Sequence, residues 1–261
     1  MTTLAHSAPR ARNDDRFFLN TALLMAAIIV AGFSLQLAMG RSSFASPLRV
    51  HLHAVVMSGW VVIFVAQTAL VASGSLTLHR RLGWIGAGWV VAMIVTGFVV
   101  TIAMVRNGSV PFFFTPLQFL VFDPVSMLTF AGLTAAAIVN RHRTDWHRRL
   151  HLCGTAMLLG PAFGRLMPMP LLAPYAFEAT AVAILLFLLG VMVADRPEGR
   201  THPAWGWGIA TFIGSTLFIE ALAFGPLGPP IYDAVVAGSP GAAVDPYAFP
   251  PPPASPLITG R

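Results

Sequence analysis

Seven apolar stretches, each long enough to cross roughly 30 Å of hydrocarbon as a helix, constrain what this chain can fold into more than any other feature. They run over about 17–39, 50–74, 83–105, 112–139, 149–168, 176–194 and 205–225. None alternates with the two-residue period of a barrel strand, and Gly and Ala are scattered through all of them. Backbone polar groups in lipid must be paired within the segment. The expected fold is therefore all-α, a polytopic transmembrane helical bundle with seven transmembrane helices. Composition points the same way, with 56% of residues hydrophobic and 10% charged, against about a quarter charged in an ordinary soluble domain. Such a chain cannot cover itself with polar surface, and the lipid bilayer is its first expected partner.

The charges that remain are placed unevenly. All sixteen basic residues are arginines. Arg10, Arg12, Arg16, Arg80, Arg81, Arg141, Arg143, Arg148, Arg149, Arg196 and Arg200 fall in the amino-terminal segment and the even-numbered loops, whereas Arg41, Arg49 and Arg106 fall in the odd ones. The positive-inside rule then puts the amino terminus in the cytoplasm and the carboxyl terminus outside. No nucleic-acid partner is implied, because these arginines flank helices instead of forming a basic stripe. Residues 1–16 read as a cytoplasmic tail and 17–225 as the membrane domain. The first run is too long for a signal-peptide core and is expected to stay as an anchor. Residues 226–261, with ten prolines among positions 225–261, read as an extended Pro/Gly-rich external tail. "MPMP" at 167–170 calls for a turn after the fifth helix. Cys153, the single cysteine, forms no disulfide within the chain and reads as packing.

An internal echo carries most of the functional signal. "HRRLGWIG" at 79–86 and "HRRLHLCG" at 147–154 share His-Arg-Arg-Leu-x-x-x-Gly, 68 residues apart. Each opens a helix after a descending one, so 50–105 and 112–168 read as parallel hairpin repeats about an axis along the membrane normal. His79 and His147 become counterparts at one membrane level. His151, one turn beyond His147, shares its helix face. Imidazoles are common ligands of haem iron and of zinc, and Arg80, Arg81, Arg148 and Arg149 beside them suit haem propionates or other anions. The competing account makes these turns headgroup anchors with solvated histidines.

Other polar groups sit at or beyond mid-membrane. His51 and His53 open the second helix and diverge by about 200°, so one can face the bundle and the other the headgroups. Arg165 and Glu220 lie at similar distances from their helices' outer ends and suggest an ion pair, with Glu178 in the same half. Asp123 stands about 16 Å from the outer end of the fourth helix, directly before Pro124, which removes a backbone hydrogen bond. Either it handles protons, or it bonds to Ser126, a backbone group or Gln67. Ionisable groups at such depth face the bundle or a cavity.

Over residues 50–168, through "HLHAVVMSGW", "HRRLGWIG", "FDPVSM" and "DWHRRLHLCG", the chain resembles a group of uncharacterised bacterial multi-pass membrane proteins. Those proteins share a His-x-His opening, a His-Arg-x-Leu-Gly turn, an Asp in the next long helix and a second His-Arg-Arg-Leu turn. His151 departs from that pattern, which has an apolar residue there, commonly Met. The resemblance implies a bacterial inner (plasma) membrane. More distantly, the histidines and Arg-rich turns are similar to membrane cytochromes b and cytochrome-oxidase assembly proteins, which implies a cytoplasmic-side haem b and respiratory-complex partners. The set His79, His147 and His151 also looks like the three-histidine zinc pattern of seven-helix ceramidase- and adiponectin-receptor-type hydrolases, although those place the second motif on the last helix. Three expectations result: haem binding or handling with His79 and His147 as axial ligands, a zinc-dependent lipid-amide hydrolase, or a non-catalytic assembly subunit.

Overall fold

A computed structural model describes residues 9–42, 44–196 and 199–252, with side chains from Asp14 onward. The elements are helical throughout: α1 (Pro9–Ala38), α2 (Leu48–Ala72), α3 (Leu76–Arg106), α4 (Pro116–Val139), α5 (Thr144–Ala156), α6 (Gly160–Leu166), α7 (Met169–Leu172), α8 (Ala176–Ala194), α9 (Pro203–Phe224) and α10 (Gly228–Val236), with 3-10 turns at Met157–Leu159 and Pro240–Ala243. Two of the long helices start on a side-chain cap. Thr115 accepts a hydrogen bond from the Gln118 backbone N–H (3.3 Å) ahead of Pro116, and the His202 ring accepts one from Ala204 (3.1 Å) ahead of Pro203. In each case a side chain satisfies a free N–H, and proline occupies a position that needs none.

Six helices among the described residues are long and apolar enough to cross a bilayer: α1, α2, α3, α4, α8 and α9. Leu24, Val55, Val62, Val91, Leu186 and Leu217 are exposed around the outside, so the bundle presents apolar side chains outward on every side. This is an integral membrane protein. The fifth apolar run, expected as one helix over 149–168, instead forms α5, a 3-10 turn and α6. The interruption follows from Pro161, which has no N–H to return to Met157, and the Gly160 N–H bonds to the Met157 carbonyl in a tighter turn.

Packing makes α4 the hub. It lies against α3, α5 and α9, while α1 packs on α2 and α6, and α8 on α6 and α9. One buried cluster joins Trp60, Met93, Phe130, Leu152, Leu188 and Trp205, and a second joins Val105, Leu117, Ile219 and Tyr232 at the opposite end. Because lipid tails are as apolar as Leu, such clusters hold helices together by close packing more than by hydrophobic exclusion.

The carboxyl-terminal segment corrects the expectation of an extended tail. Residues 228–243 form α10 and a 3-10 turn that pack on α3, α4 and α9. Pro229, Pro230 and Pro240 fall in first helical turns, where no N–H is required. The Arg106 guanidinium donates to the Val235 carbonyl (2.5 Å), Tyr232 donates to the Gly241 carbonyl (3.1 Å) and the Leu117 N–H bonds to the Pro246 carbonyl (3.1 Å). Positions 1–8 and 253–261 of the two expected tails lie outside the described residues.

Candidate functional site

The two His-Arg-Arg-Leu turns open α3 and α5, and their histidines meet. The rings of His79 and His147 stand 6.2 Å apart at 85° to one another. His147 Nδ1 lies 2.8 Å from the Ala137 carbonyl at the end of α4, which orients the ring and leaves Nε2 as its free nitrogen. His151 is 5.7 Å from His147 and is wedged edge-on between Trp60 and Phe64, 5.6 Å from each. The Nδ1 atoms of His79 and His151, Gln67 Oε1 and Trp60 Nε1 are buried without a hydrogen-bond partner. Buried polar groups are overwhelmingly paired in folded proteins, and this region concentrates several that are not. Among the described residues no three His, Cys, Asp or Glu side chains come close enough to share one metal ion. The His79 and His147 rings adjoin each other, with the His151 ring next to His147.

The arginines of the second turn have a different task from the expected one. Arg148 reaches Asp145 (2.6 Å) and Asp14 (3.0 Å), with Asp15 at 3.8 Å. Arg149, 2% exposed, donates from Nε to Asp195 (2.6 Å) and from Nη1 to the Asp145 backbone carbonyl (3.0 Å). Trp205 donates to the same Asp195 oxygen (2.8 Å). This network ties α1, α5, α8 and α9 together, and these two cations have anionic partners within the chain. Arg80 and Arg81, on the second turn of α3, are exposed. Burial acts to raise the Asp145 carboxyl, but Arg148 and Arg149 beside it hold it below its ordinary value. Burial, then the Arg149 charge, pushes His202 below its ordinary value, which suits its role as a neutral acceptor.

The remaining expected residues divide. His51 points outward, its Nε2 lying 3.2 Å from the Phe44 carbonyl, while His53 turns inward toward Asp123. Asp123 accepts a 2.5 Å hydrogen bond from Thr101 on α3; neither Ser126 nor Gln67 is its partner. The expected Arg165–Glu220 pair does not form. Glu220 accepts from Gln118 (2.9 Å), and Arg165 lies 4.1 Å over the Phe33 ring, donating to the Pro161 carbonyl (2.8 Å). The break at Pro161 redirects the chain carrying Arg165 toward α1, whose Gln36 donates to the Arg165 carbonyl (3.0 Å), and that separates the two charges.

Several participants were missed in the sequence. Ala137 acts through its backbone, Thr101 looks like any helix threonine, and Asp195 reads as a loop charge. Only Asp195 left a trace, standing at the end of an apolar run a few residues before Trp205. No family model, curated protein or solved structure matches the chain.

Proposed function

We propose that this membrane protein binds one b-type haem between His79 and His147, for electron transfer or for handling haem on behalf of a respiratory complex. The supporting observation is the spacing of the two rings. Two imidazoles from different helices that lie next to each other could both serve as ligands of one haem iron. The observed separation is 6.2 Å. A ligating histidine is held by a hydrogen bond through its other nitrogen, and the Ala137 carbonyl occupies that place for His147. Arg80 and Arg81 would hold the propionates in place of Arg148 and Arg149. The haem itself would supply one-electron chemistry; the chain supplies two ligands, an aromatic wall and a dry setting.

Distribution of the arginines supports the same orientation as before: His79 and His147 at the cytoplasmic end of a bacterial inner-membrane protein, amino terminus inside. Reporter fusions at residue 10 and residue 252 test that sidedness.

A reduced-minus-oxidised spectrum of the detergent-purified chain tests the haem reading. One equivalent of a b-type absorber is expected, lost in His79→Gln and in His147→Gln. Stoichiometric zinc with no iron, accompanied by hydrolysis of a lipid amide that chelation stops, would replace this reading with a hydrolase that recruits His151. A phenotype unchanged when all three histidines become Gln would leave only an assembly subunit.

A further inference from the structure

We propose a second site, independent of the histidine pair, in which Met57, Met127 and His53 bind one soft monovalent cation, Cu(I), with Asp123 balancing its charge. Three helices each bring two residues one turn apart to the same level: His53 and Met57 on α2, Gly97 and Thr101 on α3, Asp123 and Met127 on α4. Gly97 lets the others in. Where a side chain at position 97 would begin, Met127 Cγ lies at 3.5 Å, Met57 Cε at 3.8 Å and His53 Cε1 at 3.9 Å. In both methionines the sulfur is one bond from the atom named, and in His53 both ring nitrogens adjoin Cε1. Two thioethers and an imidazole therefore crowd one small region in the interior of the bundle.

Two further observations separate this region from ordinary methionine packing. His53 Nδ1 is buried and has no hydrogen-bond partner. Asp123 is fixed beside the region by Thr101, itself fully buried, through the 2.5 Å hydrogen bond. A carboxylate this deep is costly unless neutralised, and one monovalent cation neutralises one carboxylate. The donor set selects the ion: thioether and imidazole ligands favour Cu(I), whereas Na⁺ and Mg²⁺ prefer oxygen. Neutralisation by a proton alone is the competing outcome, and it needs neither sulfur.

The test is an anaerobic titration of the detergent-purified chain with Cu(I) against a chromophoric Cu(I) chelator. The wild type is expected to retain one equivalent. Met57→Leu combined with Met127→Leu keeps volume and apolarity and is expected to weaken binding at least a hundredfold; Asp123→Asn is expected to weaken it about tenfold. The His79→Gln/His147→Gln double variant is expected to bind as the wild type does, so failure of the haem reading leaves this site standing. Absence of retained Cu(I) in the wild type, unchanged affinity in the double-Leu variant, or loss of Cu(I) in the double-Gln variant each overturns the proposal. Should the Leu variant misfold, X-ray absorption at the copper edge of the wild type decides the matter. Sulfur scattering is expected, and a shell of nitrogen and oxygen alone overturns it.

Discussion

Two polar regions of the bundle, interleaved along α5 on different faces of the helix, are built on opposite terms. Around Arg149 almost every charge meets its complement: Asp195 takes both the guanidinium and the Trp205 N–H, and Asp145 and Asp14 take Arg148, with Arg148 Nε the one atom left over. Around His151 the reverse holds, and His79, His151, Gln67 and Trp60 each bury an atom that nothing meets. A satisfied network stabilises the assembly that surrounds it and resists loss of any member. An unsatisfied one lowers stability until something binds. The contrast teaches that Arg148 and Arg149 belong to the scaffold, whereas the histidines stand among polar atoms that the scaffold leaves unpaired.

That division can be broken by substitution. The largest effect is expected for Arg149→Met, which leaves Asp195 buried without its cation and should cost about 3–5 kcal/mol in detergent unfolding. A loss below about 1 kcal/mol would move Arg149 out of the scaffold. Next comes Gly208→Ala, at the α5–α9 contact beneath the network, where the new methyl would collide with Cys153. Overpacking there should cost about 1–3 kcal/mol, and Cys153→Ala in the same chain should recover only part of it, because the β-carbon that alanine keeps also lies 2.7 Å from the new methyl.

On the other side of the comparison, His151→Phe removes an unpartnered nitrogen from between two aromatic rings. Without ligand, its stability should stay within about 1 kcal/mol of wild type or rise, since replacing an unsatisfied polar group by an apolar one of similar shape is close to neutral. A loss above about 2 kcal/mol would show that Nδ1 is engaged after all.

The smallest effect concerns pH. His202 has a folded value below its ordinary 6.5, so on acidification the unfolded chain takes up the proton first. Its contribution is complete above pH 6.5 and is lost as pH falls toward the folded value. The melting temperature should therefore decline as pH is lowered from 7 through 5, and His202→Asn, which caps without titrating, should flatten that slope. An equally steep slope in the Asn variant would assign the titration elsewhere.

Legibility in the sequence varied with the range of the interaction. The long helices were readable because an apolar run of bilayer length has few alternatives in lipid. The repeated His-Arg-Arg-Leu turns put His79 and His147 at one level from the sequence alone. Thr101 was not readable as the partner of Asp123, because its selection depends on how α3 is rotated against α4. Met57 and Met127 gave no signal either, since a methionine in an apolar helix looks like filler until its neighbours are fixed. The prolines after Gly225 misled, as composition records how many there are and not that Pro229, Pro230 and Pro240 fall in first helical turns.

By itself the sequence determined the class of solvent, the helical character and the level at which the paired histidines sit, because hydropathy and turn chemistry act over short stretches and need no partner. Only the tertiary structure decided which arginines are neutralised, that the fifth segment bends away from Glu220, that residues 228–243 pack back on the bundle, and that His53 and two methionines converge on Gly97. Each of those depends on helix rotation and close approach, which are fixed by many small packing contacts between segments far apart in the chain.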